Sequence, residues 1–380
     1  MTFSASTRPV FPASFSRPPP ERGPRNGARP VAAVPGRVAQ MLAQRPSASG
    51  DEPVDSSFPG ITDKAHEAAK SGPFFVVLNA GSGRNDADEE QAVMARVFED
   101  GGRLVEFLQI HKPEDIAEVA GRAVALAHTR GGVVVAAGGD GTINAVASAV
   151  LGSGCPFGVL PQGTFNYFGR ANAIPQSTEA AARALLGASI SQVQVGQVNG
   201  RVFLVNASVG LYPQLLEDRE AWKQQFGRSR AVAFVSGLAT LLKAGKQLLL
   251  RIESGGKLAV LRTPTLFVGN NHLQLSRVGI DAAQVSAVAQ GQLAAIVVKP
   301  IGTAALFALL LRGLLGRLGD AENIDSFSFR RLTVTPAKAK KIKVATDGEI
   351  VWMAPPLVFQ VAEQPLLLMV PAPEDRAEIE

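Results

Sequence analysis

The chain has 380 residues, 46% of them hydrophobic and 19% charged, and a formal net charge of +5 at pH 7. This length accommodates two folded domains with terminal extensions. A single cysteine, Cys155, excludes an intramolecular disulfide and any zinc site built from several cysteines. The basic residues are scattered, Trp and Tyr number only two each, and no known nucleic-acid module occurs, so no nucleic acid is expected as a partner.

The first segment of the chain is rich in proline and arginine. Residues 1–50 contain nine prolines and seven arginines against one acidic residue, Glu21, and they show no helical or strand period. Such a composition cannot bury enough apolar surface to fold, so we predict a disordered extension over residues 1–72.

Residues 73–191 alternate strand and helix patterns. This alternation predicts a parallel sheet covered by helices on both faces, which is a three-layer αβα domain. The predicted strands are 74–78, 104–110, 133–137 and 157–160, and the predicted helices are 89–99, 113–129 and 143–151.

Three of the predicted strands end in loops of small and polar residues. The loop after 133–137 reads Gly138-Gly139-Asp140-Gly141-Thr142, so its backbone N–H groups can approach an oxyanion without interference from Cβ atoms. A helix that begins near Thr142 would add its positive end, and Asp140 is a candidate ligand for Mg²⁺. A turn of glycine and aspartate alone is more often an ordinary β-turn. Similar loops follow 74–78 and 157–160, however, and ligands of parallel sheets bind at such carboxyl ends.

The pattern becomes rich in strands from Val193 onwards. Two short strand patterns flank Asn199-Gly200, which is a strong hairpin signal, and further strands follow with glycine-bearing turns. We predict an antiparallel sandwich or barrel over residues 192–350. Asp347-Gly348-Glu349 stands between two strand patterns and by itself indicates an ordinary hairpin.

Two apolar segments, 230–246 and 301–318, are candidate helices. The second is interrupted by Arg312 and Arg317 and falls short of the roughly 20 apolar residues that a bilayer span requires. Each segment is either an interfacial helix that contacts lipid or a helix packed against the β-rich domain, and the sequence favours neither.

The glycine-bearing loops together resemble those of the diacylglycerol kinase catalytic-domain family, which includes bacterial lipid kinases and the sphingosine and ceramide kinases. Asn79–Gly83 resembles the family's Asn-Pro-x-Ser-Gly loop, Gly138–Thr142 matches Gly-Gly-Asp-Gly-Thr, and Gly163–Asn166 matches Gly-Thr-x-Asn. Order and spacing agree over roughly residues 73–370. The resemblance implies an αβα nucleotide-binding domain, an antiparallel β-sandwich domain and an active site in the cleft between them.

The resemblance also implies ATP-dependent phosphorylation of a lipid hydroxyl at a membrane surface, with ATP and Mg²⁺ as cofactors. Asp140 would bind Mg²⁺ through the nucleotide, and Glu349 or Asp347 would be the catalytic base, with Glu349 ranked first on the family pattern. The sequence alone does not separate these two carboxylates. The implied nucleotide-binding residues are Asn79, Gly81, Ser82, Gly83, Gly138, Gly139, Asp140, Gly141, Thr142, Ile143, Asn144, Gly163, Thr164 and Asn166.

Further expectations concern the placement of the C-terminal residues and the cellular location of the protein. The resemblance implies that residues 351–372, with strands at Leu357–Val361 and Leu366–Val370, return to the first domain, and residues 373–380 then form an acidic tail. A cytoplasmic enzyme with peripheral membrane association is expected. Family members often dimerise, but no segment marks a self-complementary face, so a homodimer stays an open alternative.

Two of the places where the sequence departs from the family pattern bear on the loops and on a metal site. Tyr167 follows Asn166 where many members have aspartate. Bacterial members often have aspartates that hold a structural Mg²⁺ on the second domain, whereas Ala289 and Gln290 stand in the matching segment here. Only Asp281 is evident there as a ligand, and because Mg²⁺ requires several oxygen ligands we expect this second metal site to be weak or absent.

Two alternative functions are open at this stage. A soluble-substrate kinase such as NAD kinase shares the Gly-Gly-Asp-Gly-Thr loop, although its other signatures are missing. A catalytically silent, lipid-binding regulatory protein is suggested only by Tyr167 and the altered metal segment. The acceptor lipid is also open among diacylglycerol, sphingosine, ceramide and phosphatidylglycerol.

Overall fold

The computed structural model describes residues 61–79, 84–211, 247–302 and 323–378, with a few isolated positions between these ranges. The proline-rich residues 1–60 lie outside the described part of the chain. The first domain is built on a sheet whose strands are β1 (Phe74–Asn79), β2 (Val105–Ile110), β3 (Val133–Gly138), β4 (Phe157–Pro161), β5 (Ser189–Val193) and, from the end of the chain, β18 (Leu366–Val370).

These six strands have the order β2-β1-β3-β4-β18-β5. The first four are parallel to one another, and β18 lies parallel to β4 and antiparallel to β5. All residues of β3 are buried, which is typical of a parallel strand covered on both faces. The helices of this domain are α1 (Asp63–Ser71), α2 (Arg84–Asp100), α3 (Ile116–Arg130), α4 (Asp140–Val150), α5 (Tyr167–Ala171) and α6 (Thr178–Leu186).

Two helix pairs cover this sheet, since α3 packs against α4 and α2 packs against α6. The interior is apolar and contains the fully buried side chains of Phe74, Phe98 and Phe157. The predicted three-layer αβα domain is therefore confirmed.

The predicted disordered extension is wrong at its C-terminal end, where α1 forms. The Thr62 hydroxyl caps this helix by accepting a hydrogen bond from the Ala65 N–H at 3.3 Å. At the other end, the largely buried Arg103 guanidinium donates to the Gly72 carbonyl at 3.0 Å and to carbonyls of the last turn. The buried face of α1 consists of alanines, so its sequence lacks the strong apolar period that marks most helices.

Within the described residues, the second domain contains two antiparallel six-stranded sheets and the two short helices α7 (His272–Arg277) and α8 (Ala282–Ala289). Its strands are β6 (Gly196–Val198), β7 (Arg201–Phe203), β8 (Asn206–Gly210), β9 (Leu248–Ser254), β10 (Lys257–Thr263), β11 (Thr265–Gly269), β12 (Leu293–Val298), β13 (Ile324–Phe329), β14 (Arg331–Pro336), β15 (Ile342–Thr346), β16 (Glu349–Met353) and β17 (Leu357–Val361).

One sheet has the order β10-β9-β14-β17-β6-β7 and the other β13-β12-β11-β8-β15-β16. Side chains of both sheets share one core, for example Ile252 and Phe359 of the first sheet with Val209 and Val344 of the second. Two sheets that face each other across one core form a sandwich. The antiparallel β-sandwich is thus confirmed, and a barrel is not formed.

The two C-terminal strands belong to different domains, which corrects the expectation that both return to the first. β17 pairs with β14 and β6 in the sandwich, and only β18 enters the first sheet. The residue pattern of each strand fits the sheet that it joins. Leu357 and Phe359 alternate with less buried residues, as suits a strand with one face on a core, whereas β18 is apolar at every position.

The two candidate apolar helices lie largely outside the described residues. Segment 230–246 falls wholly outside them, and only isolated positions of 303–318 are described. Among the helices that the structure describes, none has the length and apolar character needed to cross a membrane.

Candidate active site

The loop between β3 and α4 places the first glycine-rich motif at the carboxyl end of the sheet. Gly139 is extended, and α4 begins at Asp140 rather than near Thr142. Asp140 and Gly141 therefore lie in the first turn, where backbone N–H groups have no partner within the helix and the helix dipole is positive. A Cβ on Gly138 would lie 2.8 Å from Thr142 Oγ1, so the close approach of strand and helix requires glycine there.

The loop after β4 packs directly on the first loop. Asn166 closes it, because its Oδ1 accepts from the Gly163 N–H at 2.9 Å and its Nδ2 donates to the Gly163 carbonyl at 2.8 Å. A Cβ on Gly163 would lie 2.7 Å from Asn166 Oδ1 and 2.9 Å from Gly139 Cα. The two loops thus meet backbone to backbone, and Thr164 is exposed at the turn.

Asp140 connects the two loops through one carboxylate oxygen and leaves the other without a partner. Its Oδ2 accepts from the Asn166 N–H at 3.0 Å. Its Oδ1 is buried and has no hydrogen-bond partner in the described part of the chain. Burial raises the pKa of the Asp140 carboxyl, and the backbone N–H groups of Asn166 and Tyr167 oppose this shift. A buried, unpartnered carboxylate oxygen beside a helix N-terminus fits a cation that arrives with a phosphate group.

The remaining predicted nucleotide contacts have different surroundings. Asn79 ends β1 and its Nδ2 lies 3.4 Å from Thr142 Oγ1, which places it beside the first glycine loop. The Ile143 side chain is fully buried in the core of the first domain. The predicted contacts at Gly81, Ser82 and Gly83 lie outside the described residues.

The Asp347 carboxylate is surrounded by four hydrogen-bond donors. Its Oδ2 accepts from the Leu204 N–H at 2.7 Å and from Asn144 Nδ2 at 2.6 Å, and its Oδ1 accepts from the N–H groups of Val205 at 2.9 Å and Asn206 at 2.8 Å. Burial raises the pKa of this carboxyl, and the four donors oppose the shift. Because Asn144 belongs to α4, Asp347 connects the first domain to the second.

Glu349 has a more open environment than Asp347. It is the first residue of β16, and 57% of its side chain is exposed. Its Oε2 accepts from Arg201 NH2 at 2.6 Å. Its Oε1 faces the N-terminal turn of α4, since a Cβ on Gly141 would lie 3.5 Å away from it.

These groups meet in a cleft of about 930 Å³ between the two domains. The first domain contributes the β3–α4 loop and α4, and the second contributes the β6–β7 hairpin and the start of β16. Arg201 in this cleft was not predicted, and its only signal in the sequence was a cation directly after the Asn199-Gly200 turn. The main lining residues are Asn79, Gly139, Gly141, Thr142, Asn144, Gln197, Gly200, Arg201, Val202 and Glu349.

The two departures from the family pattern have structural counterparts. The Tyr167 ring stacks on Phe165, with ring centroids 5.9 Å apart, and the Tyr167 carbonyl accepts from Asn271 Nδ2 at 3.1 Å. Asp281 caps α8 by accepting from the Ala283 N–H at 3.1 Å. Among the described residues, no group of three or more His, Cys, Asp or Glu side chains is arranged to hold a metal ion.

Comparison with known proteins finds relatives of the first domain. A family model described as the diacylglycerol kinase catalytic domain matches residues 73–198. The chain is 31% identical over 146 residues to a probable lipid kinase YegS-like protein of Cronobacter sakazakii, covering 37% of this chain and 47% of that protein. It is 32% identical over 146 residues to a diacylglycerol kinase of Bacillus subtilis, covering 38% and 47%. The chain therefore spans about half the length of the curated relatives it matches.

A solved structure shares the fold of both domains over 80% of this chain. The crystal structure of a diacylglycerol kinase from Bacillus anthracis has a TM-score of 0.58, covers 80% of this chain and 98% of that chain, and is 16% identical. The resemblance based on the glycine-bearing loops is confirmed for residues 73–198, which match the diacylglycerol kinase catalytic-domain model.

Proposed function

We propose that this protein is a Mg²⁺-dependent lipid kinase that transfers the γ-phosphate of ATP to a lipid hydroxyl group. The observation that carries this proposal is the cleft, where Glu349 of the second domain faces the N-terminus of α4 in the first. Phosphoryl transfer to a hydroxyl depends on holding the phosphates, neutralising their charge and orienting the attacking oxygen. The two walls of the cleft offer groups for each of these tasks.

ATP would bind with its phosphates at the N-terminus of α4. The backbone N–H groups of Gly141 and Thr142 would donate to phosphate oxygens, and the adjacent Gly139 and Gly163 leave room for this approach. Asp140 would hold the Mg²⁺ that accompanies the nucleotide and offsets the phosphate charge. Mg²⁺ in such sites is commonly held by one or two carboxylates together with phosphates and waters, so a single aspartate is sufficient.

Glu349 is the proposed base. The lipid oxygen bonds to the γ-phosphorus as the bond to the β-phosphate oxygen breaks, ADP leaves, and the hydroxyl proton passes to Glu349. Its Oε1 faces α4 and has no hydrogen-bond partner among the described residues. Asp347 fits this task less well because both of its oxygens already accept two hydrogen bonds each.

The proposed acceptor is diacylglycerol or a related lipid such as a sphingoid base or phosphatidylglycerol. The names of two relatives, a lipid kinase and a diacylglycerol kinase, support a lipid acceptor. A membrane surface would then supply the substrate to the cleft.

The decisive test is transfer of labelled phosphate from ATP with Mg²⁺ to a panel of lipids in mixed micelles. We expect the wild-type protein to label one lipid class, and Asp140→Ala and Glu349→Gln to reduce the rate by at least about 100-fold. Glu179→Gln is a matched control, because Glu179 is also an exposed glutamate paired with an arginine, at 2.7 Å from Arg183, but lies outside the cleft. It should retain the wild-type rate.

Other outcomes would identify the alternatives. Phosphorylation of NAD but of no lipid would show that the protein is a soluble-substrate kinase and not a lipid kinase. Binding to lipid vesicles without any consumption of ATP would indicate a silent regulatory protein. Full activity of Glu349→Gln would remove Glu349 from the role of base while leaving the kinase activity in place.

A further inference from the structure

Arg201 contacts the proposed base and one of its neighbours across a turn. Arg201 is the first residue of β7, directly after the Asn199-Gly200 turn. Its NH2 donates to Glu349 Oε2 at 2.6 Å and its Nε donates to Thr346 Oγ1 at 2.9 Å. The guanidinium therefore bridges the end of β15 and the start of β16.

The Arg201 side chain is held near its backbone by the hairpin and at its guanidinium by Thr346. Asn199 fastens the hairpin tip, because its Nδ2 donates to the Pro356 carbonyl at 3.1 Å and its Oδ1 accepts from the Val358 N–H at 2.7 Å. The anchor at the other end, Thr346, is only 2% exposed. The position of the Arg201 guanidinium is thus set by the second domain without help from a ligand.

Glu349 by contrast needs an external restraint. Its side chain is 57% exposed at the start of an edge strand, and a glutamate in that setting has several rotamers of similar energy. The bond from Arg201 occupies Oε2 and turns Oε1 towards Gly141. Exposed ion pairs of this kind contribute little to folding stability, so the position of the carboxylate is the main effect of the pair.

We propose that Arg201, anchored on Thr346, is a positioning residue that holds the Glu349 carboxylate with one oxygen towards the phosphate-binding turn of α4. This inference rests on the proposed function, in which Glu349 accepts the proton of the lipid hydroxyl. Arg201 touches neither reactant in this scheme and acts through Glu349.

A double-mutant cycle tests whether Arg201 acts through Glu349. We expect Arg201→Ala to lower kcat roughly 10- to 100-fold, as small displacements of a catalytic group do, with KM for ATP within about twofold of wild type. In a Glu349→Gln background the same substitution should have no further effect on kcat. Arg201→Lys, which keeps the charge but cannot form both bonds, should fall between the wild type and Arg201→Ala.

Arg183→Ala is the matched control for the loss of an exposed arginine. Arg183 forms a comparable exposed ion pair with Glu179 at 2.7 Å on α6, outside the cleft. The Arg183→Ala variant should have the wild-type kcat and KM. An equal loss of kcat on both backgrounds, or a raised KM for ATP with an unchanged kcat, would overturn the proposal and indicate direct contact of Arg201 with the nucleotide.

A structural readout separates this inference from the proposed function. Crystal structures of the wild type and of Arg201→Ala should show one Glu349 conformer in the first and several, or a displaced one, in the second. If the wild type phosphorylates no lipid but Glu349 loses its position in the variant, the lipid kinase proposal fails and the positioning role stands. An unchanged Glu349 conformer in the variant would overturn the positioning role whatever the activity.

Discussion

Asp347 and Glu349 are separated by one glycine, yet they have opposite chemical environments. The Asp347 carboxylate accepts four hydrogen bonds, one of them from Asn144 of the other domain. Glu349 accepts one, from Arg201, and is half exposed in the cleft. A carboxylate whose oxygens are occupied by donors holds structure together, whereas one with a free oxygen can exchange a proton.

This difference predicts that Asp347→Asn lowers stability more than Glu349→Gln does. In either orientation the new NH₂ group would face two hydrogen-bond donors, at least one of them a backbone N–H, so we expect a loss of about 1–3 kcal/mol in the free energy of unfolding. Glu349→Gln should change it by no more than about 0.5 kcal/mol. Urea denaturation of both variants measures these values. If Asp347→Asn were as stable as the wild type, the four hydrogen bonds to Asp347 would not stabilise the fold as proposed.

The sequence predicted both carboxylates but could not divide the roles between them. Three of the four donors to Asp347 come from residues 204–206, and the Leu204 N–H is 143 positions away along the chain. No local pattern reveals such a contact. Arg201 escaped prediction for the same reason, because its two partners lie on the β15–β16 hairpin, far away in sequence.

At the scale of elements, the site depends on the contact between the β3–α4 loop and the β4–α5 loop. Gly139 and Gly163 approach each other with no side chain between them, and Asn166 holds the second loop in shape. The loops share the Asp140 carboxylate, which accepts from the second loop. Their spacing therefore sets the position of the proposed metal ligand.

We predict that Gly163→Ala separates the two loops and raises KM for ATP at least about tenfold, because a displacement of about 1 Å in a binding site has effects of that order. The added Cβ would lie 2.7 Å from Asn166 Oδ1 and 2.9 Å from Gly139 Cα. Gly121→Ala is the matched control, since Gly121 lies within α3 and an added methyl group there would have no atom within 4 Å. It should keep the wild-type KM and gain up to about 1 kcal/mol in stability. Equal KM values for the two variants would show that the spacing of the two loops does not affect ATP binding.

The elements themselves were predictable where the apolar pattern is strong. The strands of the first sheet are nearly continuous apolar runs, and the glycine loops mark their ends, so both the αβα layers and the position of these loops followed from local sequence. α1 was missed because its buried face is alanine. The partner of β17 was missed because strand pairing across the sandwich is set by tertiary packing.

At the scale of the whole molecule, the cleft is lined by both domains, and they are also joined by hydrogen bonds outside it. Gln194 Nε2 donates to Asn270 Oδ1 at 2.7 Å and to the Gln292 carbonyl at 2.9 Å. Together with the bond between Asn144 and Asp347, these contacts fix the orientation of one domain relative to the other. A ligand in the cleft therefore meets walls whose separation is already set.

We predict that a non-hydrolysable ATP analogue with Mg²⁺ raises the unfolding temperature of the entire chain in one transition. A ligand at a concentration of 100 times its Kd adds about 2.7 kcal/mol to the free energy of unfolding. Because the two domains are joined by these hydrogen bonds, we expect both to be stabilised together. Calorimetry measures the shift, and Asp140→Ala should abolish it. Two separate transitions, of which the analogue moves only one, would mean that the domains unfold independently.

β18 has a consequence for the way in which the protein is made. It lies between β4 and β5, so the first sheet lacks an internal strand until residues 366–370 have left the ribosome. The segment 73–198, which matches the family model, therefore lacks one strand of its own sheet. While the sandwich is being synthesised, β4 presents an open, apolar edge, which is the kind of surface that aggregates or recruits a chaperone. The first domain thus precedes the sandwich along the chain but is completed only after it.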